Sequence, residues 1–146
     1  MNGNDYFVFD TNVLVSALIF ENSRPSRAFR YALQIGQILL SPPVLEEVNE
    51  VMSREKFERY VTVEEREEFL EALVAHAKFI DTTEQIRICR DPKDDKFLEL
   101  AASGGASYIV SGDMDLLDLG VFRGIEIVKV EDFLKWIEGG ISDEEE

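Results

Sequence analysis

Hydrophobic and polar positions follow two rhythms along this chain. Tyr6 to Phe9 is a short apolar run that stops at Asp10, the pattern of a strand buried on both faces. Thr11 to Phe20 is apolar nearly all round and reads as a buried helix. Arg24 to Ile35 predicts a second helix, with Pro25 in its first turn and Gly36 at its end. Gln37 to Leu40 is the next strand. Ser41 stands where it would cap a helix that opens on Pro42 and Pro43 and runs to about Arg54. Thr62-Val63-Glu64-Glu65 has the spacing of a capping box and opens a helix to about Lys78. Ile86 to Ile88 reads as a short strand or an extended approach to the next helix. A helix is expected over Asp94 to Ser103, ending in Gly104-Gly105. Tyr108 to Val110 and Ile125 to Val128 complete the strands, and Glu131 to Glu138 is the last helix.

Strands that alternate with helices predict an α/β fold: a doubly wound parallel sheet with helices on both faces. In such sheets ligands bind beyond the carboxyl ends of the strands. Asp10, Ser41, Ser111 and Asp113 fall there. Helix geometry adds two more acids. Around the apolar face of Val44, Leu45, Val48, Val51 and Met52, Glu47 lies near the border and Glu46 nearly opposite. Against the stripe of Phe97, Leu98, Ala101 and Ala102, Asp94 falls near the middle and Asp95 about 100° to one side. Asp94 is expected to emerge at the helix N-terminus, capping it or projecting toward the sheet edge. Asp10, Glu47, Asp94 and Asp113 are therefore the candidate catalytic set, with Glu46 and Asp95 as alternates. Four convergent carboxylates repel one another and raise their own pKa values unless a cation joins them. Oxygen donors alone suit Mg²⁺ or Mn²⁺, as one or two ions, and such ions beside a phosphodiester support its hydrolysis.

Composition narrows the partners. The chain has 146 residues, 15 Lys+Arg and 30 Asp+Glu, for a net charge of -15, which argues against gripping nucleic acid or a membrane by net charge alone. Four of the acids sit in the tail. One domain is expected over 1–140, followed by an acidic, disordered tail over 141–146. A single cysteine, Cys89, excludes an internal disulfide framework and fits a reducing, cytoplasmic location. With no basic leader and no apolar run long enough to cross a bilayer, neither export nor membrane insertion is expected. A GxxxxGK[ST] loop and a GxGxxG turn are absent. The lone His76 excludes an HExxH zinc site and leaves histidine-based triads unsupported. Basic residues gather in two places: Arg24, Arg27 and Arg30 on one helical stripe, and Arg87, Arg90, Lys93 and Lys96 before and within the third acidic segment. Arg24, Arg27, Arg90 and Lys93 are the candidate phosphate contacts.

Four segments together resemble a known family. Asp10-Thr11-Asn12-Val13-Leu14-Val15-Ser16-Ala17 looks like the opening motif of PIN-domain nucleases. Ser41-Pro42-Pro43-Val44-Leu45-Glu46-Glu47-Val48 looks like the second, with its acid at Glu47. Asp91-Pro92-Lys93-Asp94-Asp95-Lys96-Phe97-Leu98 looks like the third, with its acid best matched to Asp94. Ser111-Gly112-Asp113-Met114-Asp115-Leu116-Leu117 looks like the fourth. Each motif alone is weak, and four in order across residues 5–137 are fairly specific. Within the family the chain is similar to VapC-type toxins of toxin–antitoxin pairs. The resemblance implies a flavodoxin-like sheet and a Mg²⁺- or Mn²⁺-dependent endoribonuclease acting on single-stranded RNA. It also implies a homodimer and an antitoxin protein as partners, Thr11, Asn12 and Ser111 as supports of the site, and Asp115 as an additional metal ligand. Two alternatives stay open: a non-catalytic PIN-like module that binds RNA or protein, and a phosphatase of the haloacid dehalogenase type. The phosphatase needs a second Asp two residues after Asp10, where this chain has Asn12.

Overall fold

The apolar run that ends at Asp10 forms β1 (Asp5–Phe9), whose Phe7, Val8 and Phe9 are almost wholly enclosed. A strand without polar alternation has to be covered on both faces, and this one is. The structure, a computed structural model, describes the backbone of residues 5–145 and the side chains of residues 5–139. The acidic tail expected over 141–146 lies outside the described side chains. From β1 the chain passes through α1 (Thr11–Ile19) and α2 (Arg24–Ile35) to β2 (Gly36–Leu40). α3 (Pro42–Met52), α4 (Val63–His76) and β3 (Lys78–Phe79) follow. Next come α5 (Asp95–Gly104), β4 (Tyr108–Val110), α6 (Met114–Leu117), β5 (Val121–Phe122), β6 (Ile125–Val128) and α7 (Val130–Glu145).

The strands lie in the order β3-β2-β1-β4-β6-β5. All neighbours are parallel except the β5–β6 pair. Order therefore runs outward in one direction from β1 to β2 and in the other from β1 to β4. That reversal opens a crevice beyond the carboxyl ends of β1 and β4, the place where open α/β sheets bind ligands. The register brings Asp5 opposite Gly36, where a Cβ would stand 2.1 Å from the Asp5 carbonyl oxygen, so the start of β2 requires glycine. Phe7 and Phe9 share one face of β1 and meet Phe133 of α7, while Phe9 also meets Phe29 of α2. α5 packs on β1, β2 and β4 with α3 beside it.

Three local features settle or differ from the sequence expectation. Ile86 to Ile88 is not a strand. Its backbone is tied to side chains of α5: Ile86 N donates to Glu99 at 2.9 Å, and Ile88 N and Cys89 N donate to Asp95 Oδ1 at 3.1 and 2.8 Å. Carboxylates replace the ladder that a strand would need. At the other edge β5 adds an antiparallel hairpin to the parallel sheet. Its two-residue turn, Arg123-Gly124, has φ of 51° and 81°, the positive pair that a tight hairpin demands. Lys78 does not extend α4 but begins the short edge strand β3. The capping box at Thr62 and Glu65 forms as its spacing predicts.

Candidate metal centre

Each acidic side chain reaches the crevice by a different local device. Asp10 follows β1 directly, and its backbone N–H donates to Val110 O at 3.0 Å, pinning the two strand ends together. Its carboxylate caps α1, accepting from Val13 N at 2.8 Å. The other oxygen accepts from Ser111 Oγ and from Gly112 N at 3.1 Å. Asp10 is only 4% exposed, and burial raises its pKa against the lowering pull of these donors. Ser111 is wholly enclosed after β4 and serves both sides: it donates to Asp10, and its oxygen accepts from Asp113 N at 2.9 Å. Asp113 in turn caps α6 by accepting from Asp115 N at 2.8 Å.

Asp94 arrives from a 3₁₀ turn at Pro92–Asp94, itself opened by Asp91 accepting from Lys93 N at 3.0 Å. The cap expected of Asp94 on α5 does not form. Its carboxylate instead turns toward Asp113 and Asp115, and one oxygen from each of the three lies within 4.8 Å of the others. Asp94 Oδ2 is fully enclosed and has no hydrogen-bond partner. Burial first, then the carboxylate of Asp113 beside it, push Asp94 up to about 7. An enclosed carboxylate oxygen without a donor, on an acid that lies in a cluster of like charge, is a costly arrangement that a hard cation relieves. The residues therefore fit a divalent ion with oxygen ligands.

Its neighbour Asp95 takes a different task. It is buried, and its Oδ1 holds the Ile88 and Cys89 N–H groups, so the acid of this pair that the structure turns to the cluster is Asp94. Of the pair on α3, Glu46 is exposed and lines an outer groove with Leu70 and Val74. Glu47 turns inward. One of its oxygens accepts from the hydroxyl of the buried Thr11, and the other is paired with the Lys96 ammonium. Glu47 is thus beside Asp10 through Thr11, yet its oxygens are not among those gathered around Asp94. Asn12 is exposed. Ser41, expected to cap α3, makes no side-chain cap bond, and its hydroxyl is buried without a partner.

The basic candidates are placed unequally. Arg90 reaches the rim of the cluster, 3.6 Å from Asp115 and 3.6 Å from Asp118, with its side chain 77% exposed. Lys93 is exposed on the turn that carries Asp94. Arg24 and Arg27 face α7, at 3.7 Å from Glu131 and 3.2 Å from Glu138. Sequence reading did not single out Lys96 as a partner of Glu47. The available signal was its place two residues after Asp94 on the first turn of the helix, where a long cationic side chain can reach back over the site.

Comparison with known proteins agrees with this geometry. The uncharacterized protein MJ1680 of Methanocaldococcus jannaschii is 32% identical over 114 residues, covering 77% of this chain and 73% of the relative. Among solved structures, PAE2754 from Pyrobaculum aerophilum is similar with a TM-score of 0.61, 16% identity, and coverage of 93% of this chain and 90% of that one. VapBC2 from Rickettsia felis, bound to a DNA fragment from its promoter, gives a TM-score of 0.59 and 14% identity over 85% of this chain and 98% of that one. DNA-bound VapBC from Salmonella typhimurium gives 0.56 and 17% over 89% and 99%. At these identities the likeness is one of fold. The family model of the PIN domain matches residues 6–115, a span that contains Asp10, Glu47, Asp94, Asp113 and Asp115, and the chain belongs to that family.

Proposed function

We propose that this chain is a metal-dependent endoribonuclease that hydrolyses phosphodiester bonds of single-stranded RNA. The observation that carries the reading is the gathering of one carboxylate oxygen each from Asp94, Asp113 and Asp115 within 4.8 Å of one another, beside an Asp94 Oδ2 that is enclosed and unpartnered. Asp94, Asp113 and Asp115 are the residues that would hold a Mg²⁺ or Mn²⁺ ion, with Asp10 behind them and Glu47 at the border. When bound, such an ion polarises the phosphate and lowers the pKa of a water. The protein's own contribution is positional. Ser111 fixes the Asp10 carboxylate and the Asp113 backbone in one bond network, and Asp91 shapes the turn that presents Asp94. Arg90 and Lys93 stand where they meet an incoming phosphate backbone. The site is open at the sheet edge, which suits an extended single strand.

The toxin reading belongs to the same proposal. It draws support from the likeness in fold to VapBC2 of Rickettsia felis and VapBC of Salmonella typhimurium. An antitoxin partner, a homodimer and a cytoplasmic location follow as expectations. Among the described residues, no helix is long and apolar enough to cross a membrane. The test is cleavage of a labelled single-stranded RNA with Mg²⁺ or Mn²⁺, comparing the wild type with Asp94→Asn and Asp10→Asn. Cleavage that survives chelation, or that both variants retain in full, refutes the proposal.

A further inference from the structure

Lys96 is an unusual neighbour for an acidic centre. It sits in the first turn of α5, its side chain only 18% exposed, and its ammonium is paired with Glu47, whose side chain is 24% exposed. The second oxygen of Glu47 is taken by the Thr11 hydroxyl. Both oxygens of this acid are therefore engaged by protein donors. The opposite half of the crevice is the reverse. There Asp94, Asp113 and Asp115 gather their oxygens, and Asp94 Oδ2 has no donor at all. One half of the site is neutralised from within, while the other meets only the exposed Arg90 at its rim, 3.6 Å from Asp115, among the described residues.

We infer that Lys96 is a positioning residue that acts as a built-in cation. By holding Glu47 it restricts the centre to one divalent ion, bound at Asp94, Asp113 and Asp115. The inference rests on the metal-dependent reading above. For Glu47 to serve a second ion, a half-buried ion pair has to break and leave an ammonium in an enclosed position without its partner. Removing the ammonium does the opposite. It leaves a half-buried carboxylate unpaired beside the other acids, and that carboxylate is then available to a metal. A single charge acting on a divalent ion at about 6 Å in a water-like dielectric alters its affinity about tenfold.

The experiment is calorimetric titration of Mn²⁺ into the wild type, Lys96→Met, Lys96→Arg and Glu47→Gln, without RNA. The wild type is expected to bind one ion. Lys96→Met is expected to bind a second ion or to bind the first about tenfold more tightly. Lys96→Arg keeps the charge and should reproduce the wild-type isotherm. Glu47→Gln unpairs the Lys96 ammonium, so it should weaken the single ion by no more than about tenfold and leave the stoichiometry at one, since Glu47 is not a ligand of the resident ion. An unchanged or weaker isotherm for Lys96→Met overturns the inference, as does a loss far beyond about tenfold in Glu47→Gln, which answers the question even if Lys96→Met fails to fold. Equal binding by wild type and Lys96→Met overturns only this inference. No binding by any of the proteins overturns the metal-dependent reading as well.

Discussion

Asp94→Asn changes stability in opposite directions with and without a divalent ion. The carboxyl of Asp94 stands at about 7 against an ordinary 3.8, chiefly because it is buried and then because Asp113 lies beside it. Three units correspond to about 4 kcal/mol if the whole shift survived. Solvent reaches this half-buried group, so about 1–2 kcal/mol is the better figure. The sign follows from proton linkage. A carboxyl whose folded pKa is raised keeps its proton in the folded state after the unfolded chain has lost it. The stability it contributes is complete below about pH 4 and is lost as pH rises through about 7. Cation-free wild type is therefore strained near pH 8, and Asn, which carries no charge, is not. At about 3 °C per kcal/mol for a domain of this size, Asp94→Asn should melt roughly 3–6 °C above wild type near pH 8 in chelator. The two should nearly coincide below about pH 4, where the carboxyl is protonated in the folded and the unfolded chain alike. Saturating Mn²⁺ at about 100 times its Kd adds about 2.7 kcal/mol to the wild type and little to the variant, so the order reverses. Differential scanning calorimetry at the two pH values, with chelator and with Mn²⁺, measures all four cases. A variant that melts below wild type near pH 8 in chelator refutes the electrostatic account of Asp94.

Asp95→Ala strips the acceptor from the Ile88 and Cys89 N–H groups, and urea unfolding should show a loss of about 2–3 kcal/mol; a change below about 0.5 kcal/mol means the segment is held by something else. Ser111→Ala leaves the fold intact by circular dichroism but frees both Asp10 and the Asp113 backbone, and RNA cleavage should fall at least about tenfold. Unchanged cleavage removes Ser111 from the site. Charge reversal at Arg90 and Lys93 together should weaken RNA binding and reduce its salt slope by about 1–2, as filter binding across a salt series would show. Arg24→Glu, facing α7, should leave that slope as it is; equal effects from both sites would mean that RNA binds without preference for the crevice rim.

The strands and the crevice were legible because burial imposes a simple pattern. A run such as Tyr6 to Phe9 has few alternatives to a covered strand, and an acid that ends it, as Asp10 does, must lie at the sheet edge. Asp113 was readable for the same reason. Choosing between adjacent acids was harder. The helical wheel placed Asp94 on the buried stripe and Asp95 beside it, yet Asp95 is the more buried of the two and staples the preceding loop. The wheel fails there because Pro92–Asp94 is a 3₁₀ turn, which winds its side chains differently from the α-helix that follows. For Ile86–Ile88 the pattern leaves strand and extended approach undivided, because its partners are side chains from ten or so residues on and no local pattern reports such bonds. The hairpin strand β5 escaped notice because Arg123-Gly124 lacks the Asn or Asp that usually marks such a turn. Lys96 shows a further gap. Its spacing was visible, but its pairing with Glu47 joins residues 49 apart and depends on how α3 and α5 pack.

The net charge of -15 takes on a different meaning once the partners are placed. Arg24, Arg27, Arg54, Arg90, Lys96 and Arg123 each stand against a carboxylate of the same chain. Much of the positive charge is thus spoken for internally, and the field that an approaching polyanion meets at long range stays negative. The acids are not spread evenly, for Asp94, Asp113 and Asp115 form one cluster whose cation, Arg90 beside Asp115, is largely exposed. A bound divalent ion changes the sign of the field at that one place and leaves the rest of the surface repulsive. Selectivity then comes from contrast: a flexible single strand can bring one phosphate to the cation while keeping its other phosphates away from the acidic surface, and a stiff duplex cannot. On this view the acidity of the chain disfavours non-specific binding of nucleic acid, and the metal centre supplies the local exception.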